Sequence, residues 1–321
     1  MQLQCNHGSN PQTTACSVNR KHFLRKMLFI KLGWKMGIQN LTHEVKEFAL
    51  QQDVDLVGIA DVERFVNAPP GLRPTDFLPR AKSVIVLGFR LPLGALEAAK
   101  RSYEGLRSAA QIYGVHAYQV VPNLRLLFAA NALARFLEKK GFITMPLPSG
   151  PLGGLTISHR HAAVAAGLGE FGWMGLAVTP QYGPRQRWVS VITRAELEPD
   201  PLYKGPKLCD RSKCSVCVKV CPTGAIPEGE SKRVVIGDRI FEYAKINPAK
   251  CAIACEGLRE FGIPLPENPT WEDLEKLRQL LPRFPPGSLF TPYPTYFCGR
   301  CLIYCPIGED KLLKEYFGRE E

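Results

Sequence analysis

The sequence predicts an α+β protein, in which an α/β core is followed by a smaller domain organised by cysteines. Apolar, strand-like segments alternate with helical patterns over residues 38–200, and two cysteine runs lie between residues 209 and 305. Such alternation is typical of an α/β core. At 321 residues and 45% apolar content, the chain is long enough for two domains. We therefore expect a basic, disordered leader over 1–37, a first domain over 38–200 and a second over 201–321.

The predicted elements follow from apolar periodicity and from turn signals. In the first domain they are an amphipathic helix over 41–52, strands over 54–60 and 83–89, and helices over 94–111 and 115–140. Gly141 is expected to end the last of these helices. In the second domain RVVIGDRIFEYA is expected to form a strand, and Thr270 with Asp273 is expected to form a capping box at the start of a helix.

Seven cysteines form two runs that each end in Cys-Pro. The first run, CDRSKCSVCVKVCP, spans 209–222, and the second, CGRCLIYCP, spans 298–306. A loop with two-residue gaps can wrap three corners of a cubane iron–sulfur cluster, and in two-cluster ferredoxins the cysteine before the proline ligates the other cluster. The spacing therefore predicts a ferredoxin-like domain with two interlocked 4Fe-4S clusters.

This exchange of ligands divides the cysteines into two sets. The ligands assigned to the first cluster are Cys209, Cys214, Cys217 and Cys305. Those assigned to the second are Cys221, Cys298 and Cys301, together with one thiolate from the segment between the runs. Cys251 is preferred for that position, because it follows a Pro-containing turn at the start of a predicted helix, and Cys255 is the alternative.

Three other readings of the cysteines stay open. The four-residue gap before Cys214 also fits a plant-type two-iron site with Cys251 as its distant ligand, but that site leaves four cysteines unused. Structural zinc would accept the CxxC pairs without explaining the prolines. A disulfide framework is disfavoured, because most of the 11 cysteines crowd into one region of a chain without a secretory signal.

Charge and hydropathy restrict the expected partners. The formal net charge is +11, but residues 1–43 contain six basic and no acidic side chains, so the rest of the chain is only mildly basic. A mild surplus is weak evidence for a nucleic-acid partner. It can instead compensate the negative clusters, since basic residues surround the first run: Lys204, Lys207, Arg211, Lys213 and Lys219. No apolar run reaches the ~18 residues that a membrane span needs. We expect no membrane span and a cytoplasmic location.

A glycine-rich region precedes the cysteines and contains GLGEFG, with Gly167, Gly169 and Gly172. It matches the dinucleotide fingerprint by letter, but a helical pattern precedes it and a strand pattern follows, which is the reverse of what that site needs. We expect these glycines to pack against a large flat cofactor or a cluster. His159 and His161 could bind the cofactor or transfer protons, or could be hydrogen-bonded structural residues.

Two combined segments resemble the superfamily of epoxyqueuosine reductases and reductive dehalogenases. They are ISHRHAAVAAGLGEFGWMGLAVTPQYGPRQRWVSVIT and CDRSKCSVCVKVCPTGAI, and the resemblance extends from about residue 40 to 310. It implies a nitroreductase-like core that binds a cobalamin-type cofactor with its lower base detached, and two 4Fe-4S clusters that supply it with electrons. The implied reaction is reductive cleavage of a carbon–oxygen or carbon–halogen bond, with a low-potential donor of the ferredoxin or flavodoxin type.

The resemblance also suggests roles for particular residues. Tyr118 resembles a tyrosine of the family's DYH segment and, with His161, is a predicted proton donor. Ser149 stands where epoxyqueuosine reductases have a proton-donating aspartate, and it is expected at the cofactor with His159 and the glycine loop. Without that acid, the substrate is open between a small molecule and tRNA. The alternative hypothesis is an electron-transfer or reductive-activation protein without a corrinoid.

Overall fold

The computed structural model describes residues 36–150, 156–256, 266–279 and 297–318. Its helices are α1 (36–50), α2 (Pro74–Phe77), α3 (Leu93–Tyr103), α4 (Ala109–Tyr113), α5 (Val121–Lys139), α6 (His159–Ala165), α7 (Val216–Lys219), α8 (Pro248–Cys255), α9 (Trp271–Gln279), α10 (Arg300–Ile303) and α11 (Lys311–Gly318). Its strands are β1 (Leu56–Asp61), β2 (Ser83–Arg90), β3 (Thr144–Pro146), β4 (Glu170–Phe171), β5 (Ala177–Val178), β6 (Gln186–Thr193), β7 (Ser231–Ile236) and β8 (Arg239–Ala244). The predicted leader lies outside the described residues, except for its last two residues in α1.

The core is a four-stranded sheet with the order β1-β2-β6-β3, in which each neighbouring pair is antiparallel. Ile59, Ile85 and Val191 lie side by side across the three longer strands and pack on the face covered by α1 and α5. Val84 and Ile192 point to the opposite face, which is covered by α6. Because both faces are buried, apolar side chains occupy consecutive positions in the middle of β2, from Val84 to Leu87.

The predicted mixture of helices and strands is therefore confirmed, with three differences in detail. The predicted helix over 94–111 divides into α3 and α4, because α3 ends at Tyr103 and Gly105 follows with a φ of +115°. The sheet is antiparallel, whereas the sequence alternation suggested an α/β arrangement. The predicted helix over 115–140 is broken, because Gly114–Tyr118 forms a π-helical turn and α5 starts only at Val121, with Pro122 in its first turn. Proline has no N–H to continue an earlier helix and is well tolerated at a helix start. Gly141 follows α5 with a φ of +89°, as expected for a helix stop.

The second domain contains a hairpin where the sequence suggested one strand. RVVIGDRIFEYA turns back at Gly237, whose φ of +59° is favourable for glycine, so β7 and β8 pair in antiparallel register. The predicted capping box is confirmed, because the backbone N–H of Thr270 donates to Asp273 Oδ2 over 2.9 Å and the N–H of Asp273 donates to Thr270 Oγ1 over 3.3 Å.

One helical stretch, Ala109–Lys139, is long and apolar enough to cross a membrane by length and composition alone. Within its most apolar window, 44% is buried in the protein, and Leu126, Leu133 and Leu137 are packed against the sheet. A core helix passes the same test, so this feature is weak evidence for a membrane span.

Candidate functional site

The two cysteine runs fold into turns with the same local geometry. Helix α7 contains Cys217 and helix α10 contains Cys301, and the two helices pack against each other. The residue before α7, Ser215, has φ −130° and ψ 16°, while the residue before α10, Gly299, has φ −134° and ψ 14°. The similarity of the two sequence runs is thus matched by a similarity of backbone.

A first group of thiols consists of Cys209, Cys214, Cys217 and Cys305. Burial raises the pKa of Cys217 to about 11, and the neighbouring Cys209 and Cys214 raise it further. Burial also raises the pKa of Cys305 to about 12, with contributions from the same two neighbours. The backbone N–H of Trp173 donates to Cys209 Sγ over 3.3 Å. The last cysteine of the second run therefore lies beside the first run.

A second group of thiols consists of Cys221, Cys255, Cys298 and Cys301. Burial raises the pKa of Cys298 to about 12, and Cys255 and Cys221 raise it further. Burial is also the main reason for the raised pKa of Cys301, to which Cys298, Cys255 and Cys221 contribute. The backbone N–H of Ala225 donates to Cys221 Sγ over 3.2 Å. The last cysteine of the first run thus lies with the second run.

Helix α8 carries both Cys251 and Cys255, which lie four residues apart on the same face. Cys251 is exposed. Cys255 is nearer to the second group, since its Sγ lies 3.6 Å from the carbonyl oxygen of Cys298 and its charge raises the pKa of Cys301. This placement favours Cys255, and the assignment of Cys251 as the eighth ligand stays a prediction.

The thiols are spaced more widely than the ligands of a single ion. Among the described residues, no three His, Cys, Asp or Glu side chains lie close enough to hold one metal ion. Each group nevertheless offers four sulfurs around one space, and two of these sulfurs accept backbone N–H groups. Cluster ligation requires thiolates, so binding would release protons from thiols whose pKa is raised. The donor set fits a cluster of several irons.

A buried tyrosine hydroxyl at the second group supports this fit. Tyr113 is 1% exposed, and its hydroxyl has no hydrogen-bond partner among the described residues. Burial raises the pKa of Tyr113, and Cys255, Cys298 and Cys301 add to the increase, so the ring lies beside three thiols. An unpaired buried hydroxyl is costly. Sulfur atoms of a bound cluster would give it an acceptor.

A buried arginine holds the chain around Cys305. Arg185 is 1% exposed and donates to the backbone carbonyl of Cys305 and, over 2.8 Å, to that of Ile307. Burial lowers the pKa of Arg185 to about 10, although the neighbouring Cys305 opposes this shift. The guanidinium remains charged at neutral pH, so a fixed positive charge lies at the first thiol group.

A cavity of about 1020 Å³ adjoins the second thiol group. Its wall includes Cys255 and Cys301 from that group, the neighbouring Cys251, and the side chains of Tyr118 and Tyr243. Its other lining residues combine apolar side chains with cations: Met174, Leu176, Ile226, Ile246, Arg160, Lys232 and Lys245. The volume lies at the upper end of the range for small-molecule sites. The cavity could hold a large cofactor with an apolar face and polar substituents.

Tyr118, one of the two predicted proton donors, lies in the wall of this cavity. Its side chain lies beside the thiol of Cys255. The guanidinium of Arg187 lies 4.9 Å from the ring centroid, and the ring of Phe297 lies 5.0 Å from it. Burial raises the pKa of Tyr118 well above its usual value, and the charge of Cys255 raises it further. Tyr118 is therefore a neutral phenol that links the cavity to the thiols.

His161, the other predicted donor, does not line the large cavity. Its Nε2 is 3.1 Å from the hydroxyl of Tyr243, which does line the cavity, and its Nδ1 is 2.7 Å from Ser158 Oγ. Burial lowers the pKa of His161 to about 3, and the nearby cations Arg160 and Lys232 lower it further. The structure thus brings Tyr118 and His161 to the same region, but only Tyr118 contacts the cavity directly.

The predicted cofactor-binding residues His159 and Ser149 are held by protein atoms. The Nε2 of His159 lies 2.9 Å from the carbonyl oxygen of Pro148, and its Nδ1 lies 2.9 Å from Ser190 Oγ. Ser149 is buried, and its hydroxyl donates to the carbonyl of Asn123 over 2.7 Å. Neither side chain lines the large cavity. Their cofactor-binding role stays a prediction.

The three predicted glycines pack against the protein itself. A Cβ atom at Gly167 would lie 2.0 Å from the carbonyl oxygen of Pro201, and one at Gly169 would lie 1.9 Å from that of Val178. At Gly172 it would lie 2.5 Å from Met174 Sδ. Close approach of protein atoms therefore accounts for glycine at all three positions. Contact with a cofactor stays a prediction.

Sequence reasoning missed three residues that the structure places at the site: Tyr113, Arg185 and Tyr243. Tyr113 and Tyr243 belong to no spaced motif, so no pattern in the sequence distinguishes them from other aromatic side chains. Arg185 ends the TPQYGPR part of the segment that carries the resemblance, but no pattern there indicated that it is buried.

These features define a mixed helix-and-sheet protein in which two converging groups of thiols lie beside a large cavity. Comparison with known proteins finds two kinds of relative. The chain is 38% identical over 109 residues to the tetrachloroethene reductive dehalogenase of Dehalobacter restrictus, an overlap of 33% of this chain and 18% of that protein. It is 28% identical over 221 residues to the epoxyqueuosine reductase of Staphylococcus aureus, an overlap of 60% of this chain and 54% of that protein.

The chain therefore has homologues among both reductive dehalogenases and epoxyqueuosine reductases. A catabolic reductive dehalogenase of known structure shares its fold with a TM-score of 0.52 and 19% identity, over 68% of this chain and 30% of that one. No protein-family model matches the chain. The chain spans less than a fifth of the dehalogenase relative and about half of the epoxyqueuosine reductase.

Proposed function

We propose that this protein is an iron–sulfur reductase that carries electrons through two 4Fe-4S clusters to a cobalamin-type cofactor in the large cavity. Its relatives are reductases, which supports reductive chemistry. The substrate class would be a small molecule with a carbon–halogen or carbon–oxygen bond, and the electron donor a low-potential protein of the ferredoxin or flavodoxin type. The corrinoid would supply a low-potential cobalt centre, and the protein would bind it, position the substrate and provide protons.

The observation that carries this proposal is the contact between the cavity and the second thiol group. Cys301 and Cys255 belong to both, so a cluster held there would lie against whatever occupies the cavity. The first thiol group lies behind the second, because Cys217 adds to the raised pKa of Cys301. Electrons could therefore pass from the first group to the second and then to the cavity.

The polar residues of the cavity have separate uses in this proposal. Arg160 donates to the carbonyl of Gly175 over 2.9 Å and is held at the cavity wall. Lys232 and Lys245 have largely exposed side chains that could pair with amide or phosphate groups of a corrinoid. Tyr118 offers a neutral hydroxyl to the reacting region. The apolar side chains of the cavity wall would keep water away from the face of the corrinoid macrocycle.

The proposal can be tested by electron paramagnetic resonance of cob(II)alamin added to anaerobic, cluster-loaded protein. Conversion to the base-off signal in proportion to protein is expected. A cofactor that stays base-on and unbound, while both clusters are present, would contradict the corrinoid site and favour an electron-transfer or reductive-activation protein. Met174→Trp, which fills the cavity, should reduce the conversion, whereas the exposed, distant Ile143→Trp serves as the matched control.

A further inference from the structure

A chain of three hydrogen-bonded side chains leads away from the large cavity. The hydroxyl of Tyr243 lies 3.1 Å from His161 Nε2, and His161 Nδ1 lies 2.7 Å from Ser158 Oγ. The three residues come from different parts of the fold: Tyr243 from β8, His161 from α6, and Ser158 from the position before α6. Each member has at least one oxygen or nitrogen that can both donate and accept a proton.

The inner end of this chain belongs to the large cavity. Tyr243 is 4% exposed and lines the cavity wall, where the Arg160 guanidinium lies 5.7 Å from its ring centroid. The ring is fixed by Phe171, whose centroid is 4.9 Å away. Tyr243 therefore contacts both His161 and the space where a ligand would lie.

The outer end of the chain belongs to a different cavity, of about 470 Å³. This second cavity is lined by Ser158 and His161 and, farther out, by Asn67, Lys232 and Arg233. Ser158 and the three outer residues are exposed to solvent. Water can therefore reach one end of the chain without passing through the large cavity.

The imidazole between the two ends is neutral, which suits a relay. Burial is the main cause of the lowered pKa of His161, and Arg160 from α6 and Lys232 from β7 contribute as the nearby cations. A neutral imidazole has one protonated and one unprotonated nitrogen. With the proton on Nε2, it donates to the Tyr243 oxygen, accepts from Ser158, and leaves the Tyr243 proton directed at the cavity.

We propose that Tyr243 donates a proton to the ligand in the large cavity and is resupplied from solvent through His161 and Ser158. The inference rests on the proposed function. Reductive cleavage of a carbon–halogen or carbon–oxygen bond consumes two electrons and one proton when the leaving group departs as an anion. The electrons come from the external donor through the clusters. The proton passes from Tyr243 to the substrate carbon, His161 Nε2 returns one to Tyr243, and Ser158 passes one from water to Nδ1.

In this scheme Tyr243 is a catalytic residue, while His161 and Ser158 act through it. Tyr118 also lines the cavity but lies beside Cys255, whereas Tyr243 contacts His161, so the two tyrosines have different neighbours. A purely structural role for His161 would need only its packing against Phe171, 4.8 Å away, and would give no importance to Ser158. The effect of replacing Ser158 can therefore distinguish a proton relay through His161 from a purely structural role of His161.

The first test needs neither substrate nor corrinoid. In protein labelled with ¹⁵N-histidine, exchange of the His161 ring proton with water is measured by nuclear magnetic resonance. Ser158→Ala should slow this exchange several-fold, while Ser108→Ala, at an exposed serine before α4, should leave it unchanged. Unchanged exchange in Ser158→Ala would overturn the solvent connection.

The second test uses turnover of the cluster- and corrinoid-loaded protein. Tyr243→Phe and His161→Gln should each lower product formation about 100-fold, the size typical of a lost general acid, without loss of base-off corrinoid binding. The control is Tyr182→Phe, which lines neither cavity. In His161→Gly, added imidazoles should enter through the second cavity and restore the rate in proportion to their acidity.

The outcomes distinguish this inference from the proposed function. If wild-type protein does not convert cob(II)alamin to the base-off form, the proposed function fails, and the exchange measurement alone decides whether solvent reaches His161. If corrinoid is bound but Tyr243→Phe turns over at the wild-type rate, only the proton path is wrong. A rescue that is independent of imidazole acidity would mean that His161 fills space.

Discussion

The side chain of Tyr118 lies beside the sulfur of Cys255 at the wall of the large cavity. This contact selects one face of α8 and identifies Cys255 as the thiol that faces both the cavity and the second group. Cys251 lies one turn earlier in the helix and is exposed. The same contact would bring a cluster bound by Cys255 to the side chain that the sequence indicated as a proton donor.

Replacement of the two α8 cysteines should have unequal effects on iron content. Cys255→Ala should remove one cluster, so that iron falls from about eight to about four per chain after anaerobic reconstitution. Cys251→Ala is the matched control and should retain both clusters. Iron and sulfide analysis with electron paramagnetic resonance of the reduced protein measures the result. The opposite pattern would make Cys251 the eighth ligand.

Tyr113 should influence the potential of the second cluster without affecting its assembly. Its buried hydroxyl has no hydrogen-bond partner in the part of the chain that the structure describes, and a sulfur of the proposed cluster would be an acceptor beside it. Hydrogen bonds to sulfur stabilise the reduced cluster, so Tyr113→Phe should lower the midpoint potential while iron content stays constant. A redox titration followed by electron paramagnetic resonance measures this, with Tyr182→Phe as control. An unchanged potential would show that the hydroxyl has no such bond.

Substitution at Gly169 should destabilise the protein even without any cofactor. An alanine Cβ would lie 1.9 Å from the Val178 carbonyl oxygen, and backbone cannot move aside easily. We expect a loss of about 1–3 kcal/mol in the free energy of unfolding. Gly94→Ala in α3 is the matched control, because no atom lies within 4 Å of its Cβ position. The stabilities of the two variants are compared by urea unfolding of the apoprotein. Equal stability with impaired corrinoid binding would instead support a cofactor contact.

Stability of the apoprotein should decrease as the pH falls below about 6.5. His161 has a pKa of about 3, and burial also lowers the pKa of His159, so both stay neutral in the fold while the unfolded chain binds protons. Each contributes a loss of about 1.4 kcal/mol per pH unit between its unfolded and folded pKa. Between about pH 6 and pH 4, His161→Gln should therefore reduce the slope of the free energy of unfolding against pH by the contribution of one bound proton. A slope equal to that of wild type in urea unfolding would contradict the buried neutral state.

Local patterns predicted part of the fold well, and tertiary packing explains the rest. The strands at 54–60 and 83–89 and the capping box at Thr270 depend on nearby residues, and they appear within a few positions of the expectation. Two features were not predicted, because the apolar pattern of the sequence continues across them. They are the break in the helix before Val121 and the turn at Gly237.

The candidate site, like the fold, could be predicted from the sequence only in part. Spacing within each cysteine run indicated which thiols would meet. It could not choose between Cys251 and Cys255, because residues four apart share a helix face and only the position of α10 distinguishes them. Tyr243 and Tyr113 carry no spacing signal, since their importance comes from neighbours that are distant in sequence.

The two cysteine turns exchange their final residues, so that Cys305 lies with the first group and Cys221 with the second. Neither turn completes its own group of thiols, so each group needs both turns. If the groups hold clusters as proposed, a chain that is cut between the turns and whose pieces then separate would lose ligands of both clusters at once, and neither piece would keep a complete set.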